Sequence, residues 1–213
     1  MFATTKVRGE ICFCVLNEEL RKEEEPMLNY KIFHNKDNQS AINKLENQLG
    51  QQRVIKVNNN IVAIDYLGDS HEYIKTVKFA NSVDLSQYLV TSKRFLELIK
   101  FIVRKDYNIE NIKFVYPITL DSERFINKQL ESIYASFEDP DLIEKHFGKL
   151  LEEIEWLAVD GCIDIKSISF DFQSTDGGKY KKITVYNNGV IVLQDETLVE
   201  EVKELLESMR LYY

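Results

Sequence analysis

The sequence predicts an α+β protein: mainly antiparallel sheet with packed helices, the C-terminal half ordered α-α-β-β-β-α. Two turn signals and the order of segments predict it. Asn58-Asn59-Asn60 and Asn187-Asn188-Gly189 each separate two short apolar runs at hairpin spacing, because Asn and Gly tolerate positive φ. Hairpins of this kind outnumber β-α-β alternations, which argues against a doubly wound fold.

In chain order, Lys6–Leu16 places Val7, Ile11, Phe13 and Val15 on one parity, the alternation of a strand. The charge run Glu18–Glu25, closed by Pro26, reads as an exposed loop. Asn29–His34 is a second strand. Ser40–Leu49 is helical, with Ile42, Leu45 and Leu49 on one face and Gly50 as its stop. Arg53–Val57 and Ile61–Tyr66 form the first hairpin, and Tyr73–Phe79 reads as one more strand. Ser92–Lys105 is a helix, and Ile112–Tyr116 a strand ended by Pro117. Asp121 caps a helix to Phe137. Asp139-Pro140 opens another that ends near Gly161, with Pro at its favoured first position. Three strands follow, Cys162–Phe172, Tyr180–Tyr186 and Val190–Leu193, the first two joined through Asp176-Gly177-Gly178. The helix Thr197–Met209 lays Leu198, Val202, Leu205 and Met209 along one stripe.

The 213 residues fit either two subdomains, 1–120 and 121–213, or one continuous domain. A core of this size needs no disulfide or metal staple. The apolar run Ile11–Leu16 is too short for a signal-peptide core, and no 18 consecutive apolar residues occur. Three cysteines do not form a disulfide framework. The expected compartment is therefore the cytoplasm, and the Lys-, Asn- and Ile-rich, Pro-poor usage is of bacterial or phage type.

Of the formal charge of −8, residues 121–161 hold −7 and residues 195–213 hold −4, leaving +3 for the rest. An acidic protein with acidity in helical stretches is a poor non-specific nucleic-acid binder, though local basic patches can still bind. No dinucleotide fingerprint, phosphate loop, nucleophile elbow or zinc-protease motif occurs.

Four constellations remain. Cys12, Cys14 and Cys162, with His34, His71 and His146 scattered elsewhere, lack a well-placed fourth metal ligand and are expected reduced and unliganded. His146 lies in an apolar stripe and is expected as a partly buried, hydrogen-bonded imidazole. Asp160, Asp164 and Lys166 loosely resemble the acidic-plus-lysine core of metal-dependent nucleases, in which carboxylates hold Mg²⁺ and the lysine acts at the scissile phosphate. In a regular strand Asp164 and Lys166 would share a face with Ile168 and Phe170. A bulge near Lys166 and Ser167 would instead turn both charges outward, and that reading is favoured.

The fourth constellation is a pair of helix faces. Lys93, Arg94, Lys100, Arg104 and Lys105, with Phe101 among them, could meet phosphate, a base or an acidic partner. Asp141, Glu144, Glu152 and Glu155 fall on one strip, and Trp156, the only tryptophan, points away from the apolar stripe as a protein-contact anchor would. The expected function is a non-catalytic protein-binding module, an inhibitor, immunity-like or accessory subunit, that presents acidic helices to a more basic protein. The alternatives are a small Mg²⁺-dependent nuclease and a nucleic-acid-binding accessory. No cofactor or metal is expected.

Overall fold

The computed structural model describes residues 27–36, 39–66, 68–136, 138–173, 180–194 and 199–209. The expected strand Lys6–Leu16, the loop Glu18–Glu25, Cys12, Cys14 and the turn Asp176-Gly177-Gly178 lie outside these residues. The fold is α+β, with an eight-stranded antiparallel sheet and six helices among the described residues.

The strands are β1 (Leu28–His34), β2 (Val54–Asn58), β3 (Ile61–Tyr66), β4 (Ser86–Gln87), β5 (Asn108–Phe114), β6 (Ile165–Gln173), β7 (Tyr180–Tyr186) and β8 (Val190–Leu193). The helices are α1 (Gln39–Leu49), α2 (Ser70–Ser82), α3 (Ser92–Arg104), α4 (Leu120–Ala135), α5 (Pro140–Val159) and α6 (Val199–Ser208). Sheet order is β2-β3-β1-β8-β7-β6-β5, with β4 paired to the end of β1. Strands from both sides of residue 120 thus share one sheet, joined where β1 pairs β8 and again where β5 pairs β6.

Two cores lie on the two faces of this sheet. On one, Phe33, Val62 and Ile64 meet Ala41, Ile42 and Leu45 of α1 and Ala80 of α2. On the other, Ile32, Ala63, Ile168, Phe170, Ile183 and Val185 meet residues of α3, α5 and α6, including Phe95, Ile99, Ile154 and Leu206. Alternation along each strand divides its side chains between the faces.

The segment Tyr73–Phe79 is a correction. It belongs to α2, not to a strand. Asp69 caps that helix, accepting hydrogen bonds from the backbone N–H of His71 and Glu72 at 2.8 Å each. Asp69 and Glu72 have the spacing of a capping box, and Thr76 and Ala80, four apart, are buried. Smaller shifts have equally local causes. α4 is capped by Thr119, whose Oγ1 accepts from Ser122 N at 3.2 Å, while Asp121 sits in the first turn. β5 begins four residues earlier than expected. The strand expected from Cys162 starts at Ile165, because Cys162 has φ of +50° and Ile163 N–H closes α5 by donating to Leu157 O at 2.9 Å.

β1, β4 and β8 meet at one closely packed junction. Ile32 N–H donates to Gly189 O at 2.9 Å, and Ile32 O accepts from Tyr88 N–H at 3.1 Å. The edge of β1 is therefore handed from β8 to β4 at one residue. Beside it Lys31 is fully buried, its amine donating to Asn188 O and, at 3.4 Å, to Tyr88 O. Burial pushes that amine down to about 8. Gly189 adopts φ of +74°, and a Cβ there would overlap Tyr88 O.

Two outcomes follow from this junction. Gly189→Ala should lose at least about 2 kcal/mol in urea unfolding, through strain and overlap together, and a loss below about 0.5 kcal/mol would contradict the geometry. Between about 8 and the ordinary lysine value of 10.5, the unfolded chain binds more protons at Lys31 than the folded one. Stability should therefore rise with pH across that window. Comparing Lys31→Met with the parent from pH 7.5 to 10.5 isolates the effect. The parent should gain on the order of 2–3 kcal/mol relative to the variant. A constant difference would show that the amine is not held in a desolvated site.

Candidate functional site

α5 begins with its cap already in the sequence. Asp139 accepts from the backbone N–H of Asp141 and Leu142 at 3.1 and 3.2 Å, and Pro140 occupies the first turn. Leu150, Ile154 and Leu157 anchor the inner face in the core. Against α4, His146 Nδ1 and Gln129 Oε1 lie 2.8 Å apart, so the partly buried imidazole is hydrogen-bonded. These contacts fix which face looks outward.

Asp141, Glu144, Glu152 and Glu155 are all exposed on that outer face. No ion pair among the described residues engages them. Trp156 is 51% exposed, and Val159 and Leu142 are exposed with it. Lys145 and Lys149 are exposed too. At about 100° per residue Lys145 falls between the acidic strip and Trp156 and Lys149 just beyond Trp156, a feature that the spacing already shows. Residues 138–160 hold eight acidic and two basic side chains, so most of the acidity of 121–161 belongs to α5 and its flanks rather than α4.

The cations of α3 are arranged differently. Lys100 pairs with Glu97 at 2.8 Å, and Lys105 with Glu204 at 2.7 Å. The Arg94 guanidinium lies 4.3 Å from the Tyr88 ring centre and donates to Leu89 O. Phe101 is half-buried against Tyr107, the rings edge to face. Lys93 and Arg104 are exposed and have no ion pair among the described residues. A face whose charges are engaged internally offers less to phosphate than its sequence suggests.

Asp160, Asp164 and Lys166 are all exposed. Asp160 ends α5. Asp164 Oδ1 accepts from Ser92 Oγ at 2.7 Å. Lys113 of β5 pairs Ser167 and the next residue, Phe114, pairs Ile165, so Lys166 is the extra residue of a bulge. The bulge places Ser167 and Ile168 both inside and turns Lys166 out, away from the face of Ile168 and Phe170. Among the described residues no group of three or more His, Cys, Asp and Glu side chains is placed to hold a metal.

Cys162 is an exposed free thiol. His34 packs on the Tyr88 ring at 4.7 Å between centres, and burial, then the Arg94 guanidinium, hold its imidazole below the ordinary value. His71 is exposed in the first turn of α2.

One further feature went unread in the sequence. Between β5 and α4 runs a groove of about 550 Å³, with Glu123 and Glu131 on its helix side and Tyr134, 64% exposed, at its rim. Its signal is the angular spacing of Glu123, Asn127, Glu131 and Tyr134 along one side of α4. Among the described residues no helix is long and apolar enough to cross a membrane. No family model matches the sequence, and neither a curated protein nor a solved structure matches the chain.

Proposed function

We propose that this chain is a non-catalytic protein-binding module, an inhibitor, immunity-like or accessory subunit, that presents α5 to a more basic protein. The observation that carries the reading is a half-exposed Trp156 on a helix face whose four carboxylates have no ion pair among the described residues. Leaving Trp156 and its neighbour Val159 in water forgoes burial energy that a partner would recover, roughly 1.5–3 kcal/mol for each large apolar side chain fully covered. Carboxylates around such an anchor steer a basic partner and add little affinity themselves.

The rival readings draw less support. A nuclease needs its carboxylates on one metal and its lysine beside the scissile phosphate, whereas Asp164 is engaged by Ser92 and Lys166 stands on a bulge. A nucleic-acid interface on α3 would have to break existing pairs at Lys100 and Lys105.

Labelled DNA and RNA incubated with the protein and Mg²⁺ should stay intact, and cleavage abolished by Asp164→Ala would overturn the non-catalytic assignment. With the partner captured on the parent protein, reversing Glu144, Glu152 and Glu155 to lysine should slow association about tenfold and flatten its salt dependence. Folding should change by about 0.5 kcal/mol or less. Trp156→Ala should act on the dissociation rate instead, raising it about thirtyfold, as loss of a 2 kcal/mol anchor does. Unchanged kinetics in both variants would reduce the α5 surface to a solvated face.

A further inference from the structure

The sheet ends at β5, and no described strand occupies its outer edge. α4 stands beside that edge across the groove, whose floor is Ile109 and Ile126, both nearly fully buried. A second cleft of about 530 Å³ continues it past Val115 and Pro117 to Lys166. An open edge is a liability that proteins limit with bulges, prolines and short lengths. Here Glu110 is the extra residue of a bulge at one end, and Pro117 closes the extended chain beyond the other. Between the two register shifts the pairing with β6 is regular only over Asn111–Lys113, with Phe114 just past the second, too short to invite indiscriminate pairing.

The groove also has a sign. Every charged side chain lining the first cleft is acidic, Glu110, Glu123 and Glu131, while the second adds Lys113 and Lys166 beside Glu123, so the acidic wall belongs to the α4 side of the first cleft. Glu110 is taken by Lys182 of β7, while Glu123 and Glu131 have no ion pair among the described residues. The apolar floor, the acidic wall and a backbone edge that no described strand covers run side by side, which is the combination an extended cationic chain satisfies.

We propose that the β5–α4 groove takes an extended basic segment of a partner protein, added as a short strand to Asn111–Phe114. Alternate apolar side chains of that segment cover the half-buried Ile112, Phe114 and Leu130, and its cations meet Glu123 and Glu131. The site is separate from the outer face of α5, since Gln129 faces α5 while Glu123, Asn127 and Glu131 face the groove. It rests on the protein-binding reading only in taking a basic protein as partner.

The test uses the full chain and a fluorescent peptide of alternating lysine and valine, followed by anisotropy. Its controls are a glutamate-valine peptide and a lysine-valine peptide with proline at every second residue. The first peptide should bind saturably and at least about tenfold tighter than either control, because the controls lose the charge match or the main-chain donors. Glu123→Lys with Glu131→Lys should weaken it about tenfold. The triple reversal on α5 should leave it unchanged. Hydrogen exchange should slow across Asn111–Phe114 when the peptide is bound. Equal binding of the proline peptide, or no slowing in β5, would overturn strand addition. Loss of binding in the α5 variant alone would overturn the groove while upholding α5. A dimer in sedimentation that dissociates in the Glu123→Lys, Glu131→Lys variant would overturn the proposal by assigning the edge to a second copy of this chain.

Discussion

β1 carries the connection on which the sheet depends. Its edge pairs β8 through Leu28–Lys31 and β4 through Phe33–His34, with Ile32 bonding to both neighbours through Gly189 and Tyr88. Two backbone segments meet there so closely that only a glycine fits, and a buried lysine amine serves the carbonyls of Asn188 and Tyr88 where the chain turns. A buried amine is costly, and it persists here because those carbonyls would otherwise be buried without a donor. Remove that junction and β2-β3-β1 and β8-β7-β6-β5 become two sheet fragments.

The larger core depends on the same seam. Ile32 and Ala63 come from one side of it and Ile183, Val185 and Phe170 from the other, yet all pack against one helical layer. α5, with its exposed tryptophan, and α4, with its groove, are held by that layer. We infer that the two sides of the sheet unfold as one unit. The surfaces proposed for binding then inherit the rigidity of the whole sheet.

Much of this architecture is written locally and is readable. The Asn-rich turns at 58–60 and 187–189, the cap at Asp139 and the stripe of α6 each act within a few residues. So does the bulge at Lys166, for which an apolar face beneath a carboxylate and a lysine is the warning. A strand over Tyr73–Phe79 overlooks a local signal of the same kind, the Asp69 cap directly before α2. The junction at Lys31 could not be read. A lysine in a strand looks exposed until Asn188, more than 150 residues away, supplies its acceptor. The same distance effect governs the candidate sites. The acidic strip of α5 and its off-stripe tryptophan follow from helical spacing alone. The engagement of α3's cations by Glu204 and Tyr88, and the groove beside β5, exist only after distant elements are brought together.

Coupling across the β1–β8 seam is most directly tested by native-state hydrogen exchange as a function of urea, read on β3 and on β6 and β7. The two groups of amides should reach one common opening free energy and exchange together through a single global transition. Exchange of β3 at distinctly lower urea, with β6 and β7 still protected, would show that the seam does not bind the two sides together and would contradict this account.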